Sequence, residues 1–170
     1  MTVTRCVAVV FMFAAIAFGQ TLHLLPFQAE KNAPRAFSIS IDFLRGKAPV
    51  ALQWQLSVPP VIAITTTDIT IGKAAQTAGE SLTCTAKAEI QRRSQYYCIL
   101  AGGQNPIING PIAMVHYRVR WDTKGAPVRV SIEHILGASV NAEPIVISNV
   151  DATIDINSAS TDLTNSHPNH

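Results

Sequence analysis

The stretch from Ser81 to Arg120 constrains the fold of this chain more than any other, because apolar and polar residues alternate along it between short turn signals. Alternation with a period of two is typical of β-strands that bury one face. Three antiparallel strands that share one apolar side predict the core of a β-sandwich. The predicted inward residues of the three strands are Leu82, Cys84, Ala86, Ala88 and Ile90, then Tyr96, Cys98 and Leu100, then Ala113, Val115, Tyr117 and Val119.

Two cysteines of the first hairpin are predicted to form a disulfide. A turn centred on Gln91 would place Cys84 directly opposite Cys98 on the same face of the hairpin. The third cysteine, Cys6, lies in a segment that we expect to be removed, which leaves an even number for an oxidising compartment. Two buried free thiols are the alternative interpretation.

Residues 1–19 are predicted to be a secretory signal peptide. Arg5 supplies a basic start, and the apolar run from Cys6 to Phe18 is too short to span a bilayer comfortably. Small residues at Ala17 and Gly19 place the cleavage before Gln20. An uncleaved anchor or a buried strand is the alternative. After cleavage, the protein would be extracellular or periplasmic, with no membrane span.

A single all-β domain is predicted for the rest of the chain. The 170 residues are 48% hydrophobic and 14% charged, which indicates a full core rather than disorder. We expect a lead-in segment at 20–35, a sandwich domain at 36–156 and a disordered polar tail at 157–170. About nine short strands and no convincing amphipathic helix predict an antiparallel β-sandwich. Trp54 should point inward, and Gly72 to Glu80 reads as a flexible connection.

The order of these signals resembles a bacterial cohesin domain, the module by which scaffolding proteins hold dockerin-bearing enzymes. The resemblance covers Phe37 to Ile156. It lies in three stretches, APVALQWQLSVPPVIAI, YYCILAGGQNPIINGPIAMVHYRV and ISNVDATIDI. The fold that it implies is a nine-stranded jelly-roll β-sandwich. The function that it implies is binding of a dockerin-like protein in polysaccharide degradation or cell-surface assembly.

A candidate partner-binding face follows from the resemblance and from the alternation. In the family, polar side chains of one sheet face bind the dockerin helix. By position, Ala51 and Gln53 stand where the family often has Asn and Asp. Gly102 falls near a position where the family has an acidic residue. The apolar contact is kept at Ile99. Alternation independently turns Tyr97 and Ile99 outward, although both could instead pack under a loop or the lead-in. The predicted contact residues are Ala51, Gln53, Gln55, Tyr97, Ile99 and Gly102.

No catalytic constellation is found in the sequence. The acidic residues are scattered among strand exteriors and turns, whereas a glycosidase needs two carboxylates that face one cleft. The five histidines lack metal-ligand spacing, and no helix follows Gly102 and Gly103 to make a phosphate site. Thirteen basic against eleven acidic residues leave no electrostatic footprint for nucleic acid. We therefore predict no enzyme activity, no cofactor, no metal and no nucleic-acid partner.

The leading hypothesis from the sequence is a secreted, non-catalytic cohesin-like domain that binds a protein, either dockerin-like or part of the cell envelope. A carbohydrate-binding module for extracellular polysaccharide is the alternative. Such a module usually needs a row of exposed aromatic rings, and Trp121 at a strand end would supply one ring only. A structural component of a surface or pilus-like assembly is a third hypothesis.

Overall fold

The structure, a computed structural model, describes residues 21–27, 35–43, 48–90, 93–120, 127–148 and 150–154. The predicted signal peptide, the predicted tail and Trp121 lie outside these residues, so what was expected of them stays a prediction. The described elements are β1 (Thr21–Phe27), β2 (Arg35–Asp42), β3 (Ala51–Val58), β4 (Ile62–Ala63), a 3-10 turn (Thr66–Asp68), β5 (Ile69–Ile71), α1 (Lys73–Ala78), β6 (Ser81–Ile90), β7 (Arg93–Ala101), β8 (Gly110–Val119), β9 (Val128–Ala138), β10 (Pro144–Val146) and β11 (Val150–Ile154).

The strands form two antiparallel sheets. One has the order β1-β2-β8-β4, and β5 also pairs with β8. The other has the order β10-β9-β3-β7-β6, and β11 also pairs with β9. The predicted antiparallel β-sandwich is confirmed. The predicted count of nine strands is not confirmed, because the described residues contain eleven, several only two or three residues long. The predicted lead-in supplies β1, which pairs with β2 along its whole length.

The core lies between the two sheets and is built from the inward residues of the alternating strands. Trp54 on β3 has an exposed fraction of 0%, which confirms its predicted orientation. Phe37 on β2 and Leu100 on β7 are buried with it, and full burial of a large apolar side chain contributes about 1.5–3 kcal/mol. The inward side chains are less buried at the edge strand β6, where Cys84 is half-buried and Ala86 is exposed.

The hairpin of β6 and β7 has the predicted register. Cys84 pairs directly with Cys98, and Ser81 pairs with Ala101. The two cysteines form a disulfide with a Cα–Cα distance of 4.1 Å. The predicted disulfide is therefore confirmed, and it ties the edge strand β6 to the interior of the sheet.

The connection from Gly72 to Glu80 is not the predicted flexible segment, because it contains the helix α1. Three alanines of the helix, Ala74, Ala75 and Ala78, are buried. Small side chains let the helix lie close to β8: a Cβ on Gly72 would come within 2.4 Å of the Pro111 carbonyl oxygen. The helix ends at Gly79, whose φ of 82° is left-handed and suits glycine. Within the described residues, no helix is long and apolar enough to cross a membrane.

A 3-10 turn at Thr66–Asp68 precedes the short strand β5. The Asp68 carboxylate accepts hydrogen bonds from the Thr65 backbone nitrogen and the Thr65 hydroxyl, both at 2.7 Å. These bonds stabilise the 3-10 turn. They also occupy the Thr65 backbone nitrogen, which would otherwise be available to pair with a neighbouring strand. Only Ile69 to Ile71 remain as β5.

Candidate partner-binding face

The side of the six-stranded sheet that points away from the core is called the outer face here. Strand β3 lies in the middle of this sheet, between β7 and β9. Its outward side chains therefore have neighbours on both sides. Gln53 pairs with Ile99 of β7 and with Leu136 of β9, and Leu136 in turn pairs with Val146 of β10.

Three exposed apolar side chains form a row across the outer face. Ile99 is 43% exposed, Leu136 is 51% exposed and Val146 is 82% exposed. They lie on β7, β9 and β10, with the half-buried Gln53 between Ile99 and Leu136. These three residues and Gln53 are the apolar row. Exposed apolar residues that lie singly are ordinary, but a contiguous group on a flat sheet is typical of a binding surface.

Two more exposed apolar residues belong to loops near the same end of the sheet. Val140, 72% exposed, lies in the turn from β9 to β10. Ile108, 55% exposed, follows Ile107, whose backbone nitrogen donates a hydrogen bond of 2.8 Å to the Pro49 carbonyl oxygen just before β3. Exposed apolar side chains are therefore present in two loops at this end of the sandwich as well.

A β-bulge in β9 turns Leu136 outward. Between the matched pairs Gln53–Leu136 and Gln55–Glu133, one residue on β3 lies opposite two on β9. His134 takes up the extra residue with a φ of 52°, in the left-handed region. Simple alternation from the start of β9 would turn Leu136 inward, which is why the sequence pattern missed it.

The structure brings five of the six predicted contact residues onto the outer face. Ala51 and Tyr97 are half-buried, while Gln55, paired with Tyr97, is buried. Gly102 is exposed and directly follows β7, with a φ of 106° and no neighbouring atom within 4 Å of a Cβ placed there. That these residues bind a partner stays a prediction. Leu136 and Val146 were not predicted.

Polar groups cover the other end of the outer face. The guanidinium of Arg93 crosses from β7 to β3, where Nε donates to the Ser57 hydroxyl at 2.8 Å and Nη2 donates to the Ser57 carbonyl oxygen at 3.0 Å. Nη2 also donates to the Arg129 carbonyl oxygen on β9 at 3.1 Å. Ser57 and Ser131 are buried beside it. Arg93 was not singled out by the sequence, because its contacts lie 36 positions away.

An ion pair at the surface continues this polar end onto β11. The Arg129 guanidinium donates a hydrogen bond to the Asp151 carboxylate. This bond lowers the pKa of Asp151 and raises the pKa of Arg129. Because both side chains are largely exposed, the pair stabilises the fold little.

The outer face offers contact area and hydrogen-bonding groups rather than reactive ones. Among the described residues, no three His, Cys, Asp or Glu side chains are grouped as a metal site. The buried Tyr96 hydroxyl is engaged by the Ile64 carbonyl oxygen, and burial raises the pKa of this phenol.

Comparison with solved structures identifies the fold. A chain of a type I cohesin–dockerin complex from Clostridium thermocellum aligns with a TM-score of 0.63 and 11% identity, over 81% of this chain and 98% of that one. A non-cellulosomal cohesin from the archaeon Archaeoglobus fulgidus aligns with a TM-score of 0.59 and 15% identity, over 82% and 94% of the two chains.

A third similar structure is the sixth cohesin of scaffoldin B from Acetivibrio cellulolyticus, solved with a dockerin. It aligns with a TM-score of 0.62 and 10% identity, over 81% of this chain and 98% of that one. No protein-family model and no curated protein sequence matches the chain. At such low identities the likeness is one of fold. This chain has a cohesin-like fold.

Proposed function

We propose that this protein is a secreted, non-catalytic interaction module that holds a dockerin-like protein partner on its outer face. The apolar row carries the proposal, because Ile99, Leu136 and Val146 are exposed in one register across the sheet, with Gln53 between Ile99 and Leu136. Two of the similar cohesin structures were solved as complexes with dockerins, which supports a protein as the partner. The disulfide between Cys84 and Cys98 suits a protein that works in an oxidising compartment.

The physical basis for binding would be burial of the apolar row around a single central amide. Burying exposed apolar area contributes about 25 cal/mol per Å² before the costs of association are subtracted. The side chain of Gln53 can donate and accept hydrogen bonds within this apolar surrounding, and that would fix the orientation of the partner. Gln53 and Ala51 are both uncharged, so this proposed contact would not require a carboxylate on this protein at these two positions.

The outer face supports a protein partner better than a polysaccharide. Sugar binding on a flat sheet usually uses exposed aromatic rings. On the described outer face, Tyr97 is the aromatic side chain, and it is half-buried. Trp54 is fully buried on the other side of β3. The exposed side chains of the apolar row are aliphatic and suit the apolar face of a helix.

The test is capture by the mature protein from secreted and envelope fractions of the native organism. The binding variant is Ile99→Ser with Leu136→Ser. Leu25→Ser is the matched control, because Leu25 is 54% exposed on β1 of the opposite sheet. The captured protein is then purified, and its dissociation constant is measured by calorimetry against all three forms, with circular dichroism to check their folding.

We expect the purified partner to bind the wild type and Leu25→Ser equally, and the double variant at least tenfold more weakly. A parallel measurement uses insoluble polysaccharides. Retention on polysaccharide that the double variant leaves unchanged, with no protein that distinguishes the three forms, would overturn the proposal in favour of a carbohydrate-binding module.

A further inference from the structure

We propose that Arg93 determines specificity by binding a carboxylate of the partner, so that the partner of this module carries an acidic residue beside its apolar contact residues. This inference rests on the proposed function. It goes beyond it by giving the partner's charge and the place where that charge lies. The observations behind it are the fixed geometry of one guanidinium and the neutral character of the apolar row.

The guanidinium of Arg93 is held in place before any partner binds. Nε and Nη2 donate the three hydrogen bonds to Ser57 and to the Arg129 carbonyl oxygen. Nη1 donates none of the bonds found among the described residues. A fixed guanidinium with free donors is suited to a carboxylate, because a charge-assisted hydrogen bond then forms without further loss of side-chain freedom.

The hydrogen bonds found for Arg93 go to Ser57 and to the Arg129 carbonyl oxygen rather than to an acidic side chain. Asp151 forms an ion pair with Arg129, and the charge of Arg93 also lowers the pKa of Asp151. Glu133 lies opposite Gln55, closer to the apolar row. Exposed Lys87 pairs with Gln95 on the Arg93 side of the sheet. The charged residues described on the outer face are Lys87, Arg93, Arg129, Glu133 and Asp151, three basic and two acidic. His134, at the bulge, is exposed as well. A partner carboxylate at Arg93 would accept hydrogen bonds from Nη1.

The spacing between the two contacts can be read from β3. Gln53 marks the apolar row and Ser57 marks the Arg93 guanidinium, and four residues along a strand span about 13 Å. A partner helix aligned with β3 covers that distance in about nine residues. Because the contacts must share one helical face, the acidic residue should lie seven, eight or eleven positions from the apolar anchor.

The experiment uses a phage-displayed library of 20-residue peptides of helix-favouring composition, selected on the mature protein. Peptides are kept if their binding requires Ile99 and Leu136, and their sequences are then compared. Affinities are measured for each selected peptide and for its acid-to-amide version, against wild type, Arg93→Gln, Arg93→Lys and Lys87→Gln. Lys87→Gln is the matched control because it removes one basic side chain from the same face and leaves the Arg93 hydrogen bonds in place.

We expect the selected peptides to share Asp or Glu seven, eight or eleven positions from an apolar residue. Arg93→Gln should weaken binding at least tenfold, and the acid-to-amide peptide should weaken it by a similar factor. The two changes together should cost little more than either one. Arg93→Lys should recover part of the affinity, Lys87→Gln should change it less than threefold, and added salt should weaken the wild-type complex.

Two results would count against the inference in distinguishable ways. Selected peptides that need Ile99 and Leu136 but carry no acidic preference, with less than twofold coupling to Arg93, would overturn it and leave the proposed function standing. A library that yields no peptide dependent on Ile99 and Leu136 would count against both. The free energy of unfolding of Arg93→Gln, measured beside these affinities, shows whether the variant remains folded under the binding conditions.

Discussion

Leu136 lies directly opposite Gln53, although the next matched pair on these strands joins Glu133 to Gln55. Two residues on β9, His134 and Ile135, therefore face Trp54 alone on β3, and the inward–outward alternation of β9 reverses at His134. Leu136 lies on the outer face because of this reversal. The bulge is thus as important for the candidate site as the side chains that form the apolar row.

Substitutions at His134 should separate backbone strain from side-chain chemistry. A left-handed φ costs an L-residue about 1–2 kcal/mol, which glycine avoids at an entropic cost of about 0.5–1 kcal/mol. His134→Gly should therefore leave the free energy of unfolding unchanged or raise it by about 0.5 kcal/mol. His134→Val should lower it by about 1–3 kcal/mol, because a β-branched residue tolerates this conformation poorly. Urea denaturation measures both. Equal stability of the two variants would contradict the bulge geometry.

The disulfide should stabilise the mature protein measurably. Replacing Cys84 and Cys98 by alanine should lower the free energy of unfolding by about 2–3 kcal/mol, since the reduced chain gains freedom in its unfolded state. Denaturation of wild type and variant in the absence of reductant checks the value. A thiol assay on the unreduced, denatured mature protein should find neither cysteine free, and two free thiols per chain would contradict the bridge.

Acid should weaken the turn before β5 through Asp68. Hydrogen bonds from the Thr65 hydroxyl and backbone lower the pKa of Asp68 in the folded protein, and Arg118 adds to the effect from 3.6 Å. Because this pKa is lower in the folded protein than in the unfolded chain, the ionised Asp68 carboxylate stabilises the fold fully above the unfolded pKa of about 3.9. That stabilisation is lost as the pH falls through the folded pKa. Asp68→Asn should lower stability by about 1 kcal/mol at neutral pH.

The difference between wild type and Asp68→Asn should shrink as the pH falls below about 4. Thermal unfolding from pH 7 to pH 2.5 measures it. Asp151→Asn provides the comparison, since Asp151 also has a lowered pKa but lies in an exposed ion pair. A difference for Asp68→Asn that stays constant across this range would contradict the assignment.

Alkaline pH should act on Tyr96. Burial raises the pKa of its phenol, and the nearby Asp68 charge raises it further. Because this pKa is higher in the folded protein than in the unfolded chain, the protonated phenol contributes fully to the free energy of unfolding below the unfolded pKa of about 10. That contribution is lost as the pH rises through the folded pKa. Tyr96→Phe leaves the buried Ile64 carbonyl oxygen without its partner and should cost about 1–3 kcal/mol at pH 7. The variant should lose less stability than wild type above pH 10, as followed by chemical denaturation.

The sequence predicted the features that depend on local alternation. The pairing of Cys84 with Cys98 followed from counting outward from Gln91, and the burial of Trp54 followed from its neighbours two positions away. Both rest on the strict period of two in a β-strand. The same rule turned Tyr97 and Ile99 toward the outer face.

Features that depend on a break in the period or on distant partners were not predictable in this way. Leu136 faces outward because His134 adds a residue, and no pattern around it signals the bulge. The short helix α1 forms on small residues that would equally suit a loop, since its three buried alanines need the surface of β8. Arg93 acquires its role from Ser57 and Arg129, each 36 positions away.

The apolar row joins residues from four separate parts of the chain. Gln53, Ile99, Leu136 and Val146 become neighbours only after β3, β7, β9 and β10 have paired. Bringing such segments together is entropically costly, because long loops must close. A chain in which these strands have not yet paired therefore lacks the apolar row. A partner that recognises the whole row would discriminate between completed and incomplete molecules, so binding itself would act as a check on folding.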